Sequence, residues 1–98
     1  MSNAMWLFSY KLKKGKSVED FLKISEKLNN EHISKAKGFI SWKQLFDGKK
    51  WADLGTWETM EDLKNFEKGT PPPIAKEFYS FINFLSLKSQ HFTIEKSY

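Results

Sequence analysis

Apolar and polar residues alternate along several segments of the chain, and stretches between them repeat apolar residues at helical spacing. The first alternating segment runs from Trp6 to Leu12, with Trp6, Phe8, Tyr10 and Leu12 on one face. A period of two is typical of a half-buried β-strand. We therefore predict a first strand over these residues, and Gly15 breaks it.

The clearest local signal is an Asp-Gly step, Asp47-Gly48, between two aromatic runs. Such a step favours a tight hairpin, because the turn needs backbone angles that these two residues tolerate. The pattern predicts a second strand over residues 39–46 and a third over 51–58. Strict alternation in the second strand puts Ile40 and Trp42 on one face, and on the other Phe39, Ser41, Lys43 and Leu45.

Two helical regions flank this hairpin. The first begins after Ser17, a favourable capping residue, repeats apolar residues to His32, and stops by Gly38. The second begins after Thr59 and is interrupted at residues 69–73, where three prolines remove backbone donors. From Ile74 a fresh helical pattern continues to about Leu85, and a last strand is predicted over 87–96.

The predicted order of elements is β-α-β-β-α-β. Two β-α-β units of this kind form a ferredoxin-like α+β domain, with an antiparallel four-stranded sheet and both helices on one face. Apolar residues also occur on the second face of the sheet, and such a face pairs or aggregates unless a partner covers it. The pattern therefore predicts a homodimer.

Length and composition narrow the class of protein. We interpret residues 1–4 as an expression-tag remnant, because Met5 follows Ser-Asn-Ala, and residues 5–98 as one domain. No apolar run is long enough for a membrane helix, and the amino end does not resemble a signal peptide. The chain has no cysteine. We expect a soluble cytoplasmic protein with no membrane partner.

The net charge of +4 raises the question of nucleic-acid binding. All sixteen basic residues are lysines, so the planar guanidinium that reads guanine and grips phosphate is absent. We therefore expect no nucleic-acid partner. Sixteen aromatic residues in 98 are more than a core of this size usually contains. Some of them are expected to line a cavity or an interface.

Three segments carry a resemblance to a known family: Gly38-Phe39-Ile40 before the hairpin, residues 51–63 after it, and His91-Phe92 in the last strand. Together they resemble the dimeric α+β barrel superfamily, in particular its antibiotic biosynthesis monooxygenase-like branch. The resemblance implies two sheets that close a barrel across a homodimer. It also implies a small apolar or aromatic ligand between sheet and helices, and cofactor-independent monooxygenation as a candidate activity.

The haem-degrading branch of that superfamily uses an Asn on the first strand, a Trp in the helix after the third strand, and a His ligand to iron. This chain has Ser9 and Tyr10 on the first strand, Phe66 in place of the Trp, and no His between His32 and His91. An axial ligand is indispensable for haem. We expect no haem, no other cofactor and no metal.

Candidate site residues follow from the predicted elements. His91 is the catalytic candidate, since an imidazole exchanges protons near neutral pH, and it also fits a structural role at the sheet edge. Asp53, Glu58 and Glu95 could face the pocket. The candidate ligand-binding residues are Phe21, His32, Trp42, Tyr79 and Asn83. The alternative is a non-catalytic binding or assembly domain whose aromatics serve only the dimer interface.

Overall fold

The computed structural model describes residues 2–98. Four antiparallel strands form one sheet in the order β2-β3-β1-β4, and the helices pack on one face of it. This confirms the predicted ferredoxin-like α+β fold. Along the chain the elements are β1 (Ala4–Leu12), α1 (Val18–Glu31), a 3-10 helix (Ile33–Lys35), β2 (Phe39–Phe46), β3 (Trp51–Trp57), α2 (Met60–Lys68), α3 (Pro73–Tyr79) and β4 (Ile82–Thr93).

Side-chain caps begin the two longer helices where the sequence predicts them. The Ser17 hydroxyl accepts a hydrogen bond from the backbone N–H of Asp20 at 3.1 Å, and Thr59 does the same for Asp62 at 3.0 Å. Each cap satisfies a backbone donor that has no partner inside the helix. At the hairpin, Gly48 takes the left-handed conformation with φ of 100°, as the Asp-Gly turn requires.

The predicted end of the last helix is wrong. Helix α3 ends at Tyr79, not at Leu85 as predicted. Strand β4 begins at Ile82, not at Leu87. Ile82 lies opposite Leu12 in the sheet and is fully buried, whereas Leu85 is 98% exposed. A short apolar run fits both periods, and here burial of Ile82 against β1 favours the strand.

The predicted faces of β2 also need correction. The register shifts between Phe39 and Ser41, which marks a bulge of one residue at the start of the strand. An extra residue reverses the alternation before it. Phe39 therefore lies on the helix face together with Trp42, and its ring packs 5.6 Å from the ring of Trp57.

The helix face of the sheet carries the core. Trp57 is buried beneath α2 against Leu63 and Phe66, next to Ala4, which belongs to the predicted tag remnant and yet starts β1. A second and larger cluster is formed by residues that include Phe8, Tyr10, Phe21, Leu28, Trp51, Phe78 and Ile82. No helix within residues 2–98 is long and apolar enough to cross a membrane.

The opposite face of the sheet is also apolar at its centre. Leu7 of β1 lies directly opposite Leu54 of β3, and both are only partly exposed. Met5, Leu45 and Phe92 occupy the same face, the last two with about half of their surface exposed. We call these five residues the outer face. It is the surface on which the homodimer prediction depends.

Gly38 provides a test of how β2 is held against α2. A Cβ at Gly38 would lie 2.8 Å from the Cβ of Asp62, and Gly38 has φ of 81°. Gly15 has nearly the same φ, 79°, but nothing within 4 Å of such a Cβ. We expect Gly15→Ala to cost about 1 kcal/mol of unfolding free energy from backbone strain, and Gly38→Ala to cost about 1–3 kcal/mol more from overpacking. Urea unfolding measures both, and equal losses would contradict the close approach.

Candidate functional site

A cavity of about 290 Å³ lies between the helix face of the sheet and the three helices. Its wall includes five aromatic side chains, namely Trp6, Trp42, Phe66, Phe78 and Tyr79. A protein cavity of about 150 Å³ is large enough to hold benzene. The space therefore suits a ligand of one or two rings better than one of three.

Gly55 determines how two of these rings meet. It lies opposite Trp6 on one neighbouring strand and Trp42 on the other. A Cβ at this position would already lie 3.5 Å from Trp6 Cε3 and from Trp57 Nε1. Because Gly55 has no side chain, nothing projects from β3 between the two indoles that line the cavity.

Asp53 is the most deeply buried polar group of the cavity wall. Its side chain is 1% exposed, and Oδ1 accepts a hydrogen bond from the Tyr10 hydroxyl at 2.9 Å. Burial raises the pKa of Asp53 to about 7, although the donor groups of Tyr10 and Trp42 oppose that rise. The Trp42 indole N–H falls short of a formed hydrogen bond, since this buried atom has no hydrogen-bond partner.

The Tyr10 hydroxyl, which donates its hydrogen bond to Asp53, keeps its proton. Burial, and then the neighbouring Asp53 carboxyl, raise the pKa of the Tyr10 hydroxyl far above its usual range. On the neighbouring strand β2, Gln44 Nε2 donates to Ser25 Oγ at 3.0 Å, and Ser25 Oγ donates to the Phe21 carbonyl at 2.7 Å. These bonds tie β2 to α1 and hold the cavity wall.

The rim of the cavity carries a hydrogen-bonded contact between α2 and β4. His91 Nε2 lies 2.8 and 3.0 Å from the two carboxylate oxygens of Glu67, and both side chains are about one third exposed. Glu67 lines the cavity, whereas His91 does not. Burial, followed by the charges of Glu67 and Asp53, raises the pKa of Tyr79. Asp53 and Glu67 are the two acidic side chains among the residues that line the cavity.

The structure brings together three of the six predicted site residues. Trp42, Tyr79 and His32 line the cavity, and the His32 ring lies 5.3 Å from the ring of Phe66. His91 stands behind Glu67 at the rim. The remaining two residues lie elsewhere.

Phe21 and Asn83 are absent from the cavity wall. Phe21 is fully buried in the core, with its ring stacked 5.2 Å from Phe78. Asn83 was placed by the helix that was wrongly extended through it. It lies instead at the start of β4, where its Oδ1 accepts a hydrogen bond from the N–H of Leu85 at 3.1 Å.

Sequence reasoning missed most residues of the cavity wall, and Trp6, Asp53 and Glu67 are instructive examples. Trp6 has a visible signal, because it shares the apolar face of β1 with Phe8 and Tyr10. Asp53 also has one, as a carboxylate at an inward position of a strand whose other inward residues are Trp51, Gly55 and Trp57. Glu67 has none, since it is one of many charged positions on the exposed side of α2.

The raised pKa of Asp53 makes a prediction about stability. The folded-state pKa, about 7, exceeds the unfolded value of 3.8, so the folded protein binds the proton more tightly and stability falls as pH rises between these values. From about pH 5.5 to pH 8 this carboxyl should cost on the order of 2 kcal/mol. Asp53→Asn keeps an acceptor for Tyr10 and should abolish this part of the pH dependence. Urea unfolding at both pH values measures the difference between variant and wild type, and parallel curves would contradict the prediction.

Solved structures of the same architecture give the context for this site. SnoaB, a cofactor-independent oxygenase from Streptomyces nogalater, has a TM-score of 0.78 at 10% identity, over 99% of this chain and 97% of that chain. Hydroxynitrile lyase from Passiflora edulis has a TM-score of 0.72 at 19% identity, over 98% and 96%. No family model matches the chain, and no curated protein matches it.

A putative antibiotic biosynthesis monooxygenase from Bacillus cereus has a TM-score of 0.69 at 17% identity, and covers 100% of this chain and 98% of its own. These neighbours are described as an oxygenase, a lyase and a monooxygenase, so one architecture serves several chemistries. The chain has the same ferredoxin-like α+β fold as these structures, the fold of antibiotic biosynthesis monooxygenase-like proteins.

Proposed function

We propose that this protein is a homodimer that binds a small apolar or aromatic molecule in the cavity of each subunit. The observation that carries the proposal is the cavity itself, with five aromatic side chains in its wall and a single deeply buried carboxyl. Ligand sites are typically concave and apolar, with few polar groups that orient the bound molecule. The aromatic rings surround this space, which favours ligand binding over a purely interfacial role for them.

The outer face supports the dimer. Leu7 and Leu54 lie together at its centre, and half-exposed Leu45 and Phe92 extend the apolar area. Contiguous apolar area on a sheet favours association with another surface. A second copy of the same face is the partner that a symmetric dimer provides, since the same patch then covers itself.

The dimer is tested by placing a charge at its centre. We expect the wild-type protein to sediment as a dimer at micromolar concentration, and Leu54→Glu to sediment as a monomer, because an unpaired carboxylate buried in the interface is costly. Leu22→Glu is the matched control, since Leu22 is 43% exposed on α1, away from the outer face. Dimers of equal stability in all three proteins, or a monomeric wild type, would refute this arrangement.

The chemistry that we propose for the bound molecule is cofactor-independent monooxygenation, and this proposal is supported by the structural neighbour SnoaB, a cofactor-independent oxygenase. An electron-rich aromatic substrate supplies all four electrons itself. It loses two hydrogens, keeps one oxygen atom of O₂ on its oxidised carbon, and the other oxygen atom leaves with the two hydrogens as water (SH₂ + O₂ → SO + H₂O). The protein must then orient the substrate and exclude solvent. The aromatic wall is suited to both tasks, and His91 serves as a positioning residue that fixes Glu67 at the rim.

Oxygen consumption tests the catalytic part of the proposal. With a panel of one-, two- and three-ring quinols and anthrone-like compounds, we expect turnover above the uncatalysed rate, best for the smaller members because of the cavity volume. Ala75→Leu, which fills space at the wall, should lower turnover. His91→Ala should retain most of it, because His91 does not line the cavity.

If none of the compounds is turned over but the same compounds bind measurably, the catalytic proposal is wrong and the protein is a non-catalytic binding domain. Loss of all turnover in His91→Ala would instead restore His91 as a catalytic residue.

A further inference from the structure

The charged groups of the cavity wall have the opposite sign to the protein as a whole. The chain carries sixteen lysines and a net charge of +4. The charged side chains that line the cavity are nevertheless Asp53 and Glu67, and none of the lysines described in the structure belongs to the wall. A neutral aromatic ligand does not need this arrangement, whereas a cationic ligand does.

Among residues 2–98, Asp53 has no positively charged partner. The close contacts between acidic and basic side chains join Glu19 with Lys23 and Glu67 with His91, and neither involves Asp53. Tyr10 donates one hydrogen bond to Oδ1, which satisfies part of the carboxyl but does not neutralise it. A buried carboxylate without a counter-charge is unfavourable. A cation delivered by the ligand would remove that cost.

The aromatic wall favours a cation as well. Trp6, Trp42 and Tyr79 are among its members, and the faces of such rings attract ammonium groups, most strongly where water is excluded. Burial, and then the charges of Glu67 and Asp53, raise the pKa of the Tyr79 hydroxyl, so this ring stays neutral beside the two acids. When they are ionised, the same two acids attract a positive charge.

We propose that the ligand of this cavity is a small aromatic amine, bound with its ring among the aromatic side chains of the wall and its ammonium group against the Asp53 carboxylate. This inference rests on the proposed ligand-binding function and names the class of ligand. The ammonium donates to the carboxyl, and the aromatic part fills the apolar remainder. Glu67 at the rim attracts the cation on entry, whereas a carboxylate ligand is repelled by both acids.

Three naphthalene derivatives of matched size distinguish the charge of the ligand from its shape. They are 1-naphthylmethylamine, a cation at about pH 8 as lysine is, the neutral 1-naphthylmethanol, and the anion 1-naphthoate. Isothermal titration calorimetry with the wild-type protein should show the amine binding at least tenfold more tightly than the alcohol. The anion should bind most weakly.

Asp53→Asn keeps the size of the side chain and removes its charge. In this variant the amine should bind no more tightly than the alcohol. Glu67→Gln, at the partly exposed rim, should weaken amine binding by a smaller factor, because solvent screens that charge. The second variant and the pH dependence of the wild type keep the test valid if Asp53→Asn does not fold.

The pH dependence separates Asp53 from the other titratable groups around the cavity. From pH 8 to pH 6 the amine should bind about tenfold more weakly to the wild type, as Asp53 with its pKa of about 7 takes up a proton. The groups that face this space from the packed elements are Tyr10 on β1, His32 on α1, Glu67 on α2 with its partner His91 on β4, and Tyr79 on α3. Protonation of the two histidines also disfavours binding of a cation. The pH dependence of amine binding that remains in Asp53→Asn measures this contribution.

The outcomes distinguish this inference from the proposed function beneath it. Equal or tighter binding of the alcohol or the naphthoate overturns the amine assignment and leaves ligand binding intact. Absence of binding by all three probes overturns both. Preference for the amine that survives Asp53→Asn also overturns the assignment, because the carboxylate would then not be its partner.

Discussion

The hydrogen bond from Tyr10 to Asp53 joins the two central strands on the face that the helices cover. It holds a carboxyl where water is nearly excluded, and so it determines both the polarity of the cavity and the pH dependence expected of stability. The remaining walls of the cavity surround this pair. Indole side chains of β1 and β2 lie beside it, and the helices lie above it. A purely apolar face would pack more tightly and bind less selectively.

This arrangement has a thermodynamic consequence for the empty protein. Desolvation raises the pKa of Asp53 to about 7, so the unliganded carboxyl is poised between its neutral and charged forms near neutrality. An enclosed group of this kind weakens the folded state when ionised. A ligand that favours ionisation therefore restores stability as it binds, and occupancy and folding become linked through one proton.

The strands and caps could be predicted because their signals are local. Ser17, Thr59 and the Asp47-Gly48 turn act on backbone groups within a few residues, and each appears where the sequence places it. The end of α3 and the bulge after Phe39 could not be predicted, since both depend on pairing with strands distant in sequence. The predicted position of Asn83 was wrong for that reason. The place of Glu67 at the cavity rim depends on the contact between α2 and β4, which are also distant in sequence.

The pleat of β1 separates two kinds of contact at neighbouring positions. Trp6 and Phe8 point toward the helices, whereas Leu7 between them belongs to the outer face. Neighbouring residues of β1 thus belong to two surfaces that do not share a side chain. Substitutions can therefore reshape the cavity without altering the outer face, and the reverse. In evolution, single residues of this strand can therefore change one surface at a time. This property suits an architecture that is found in proteins of different activities.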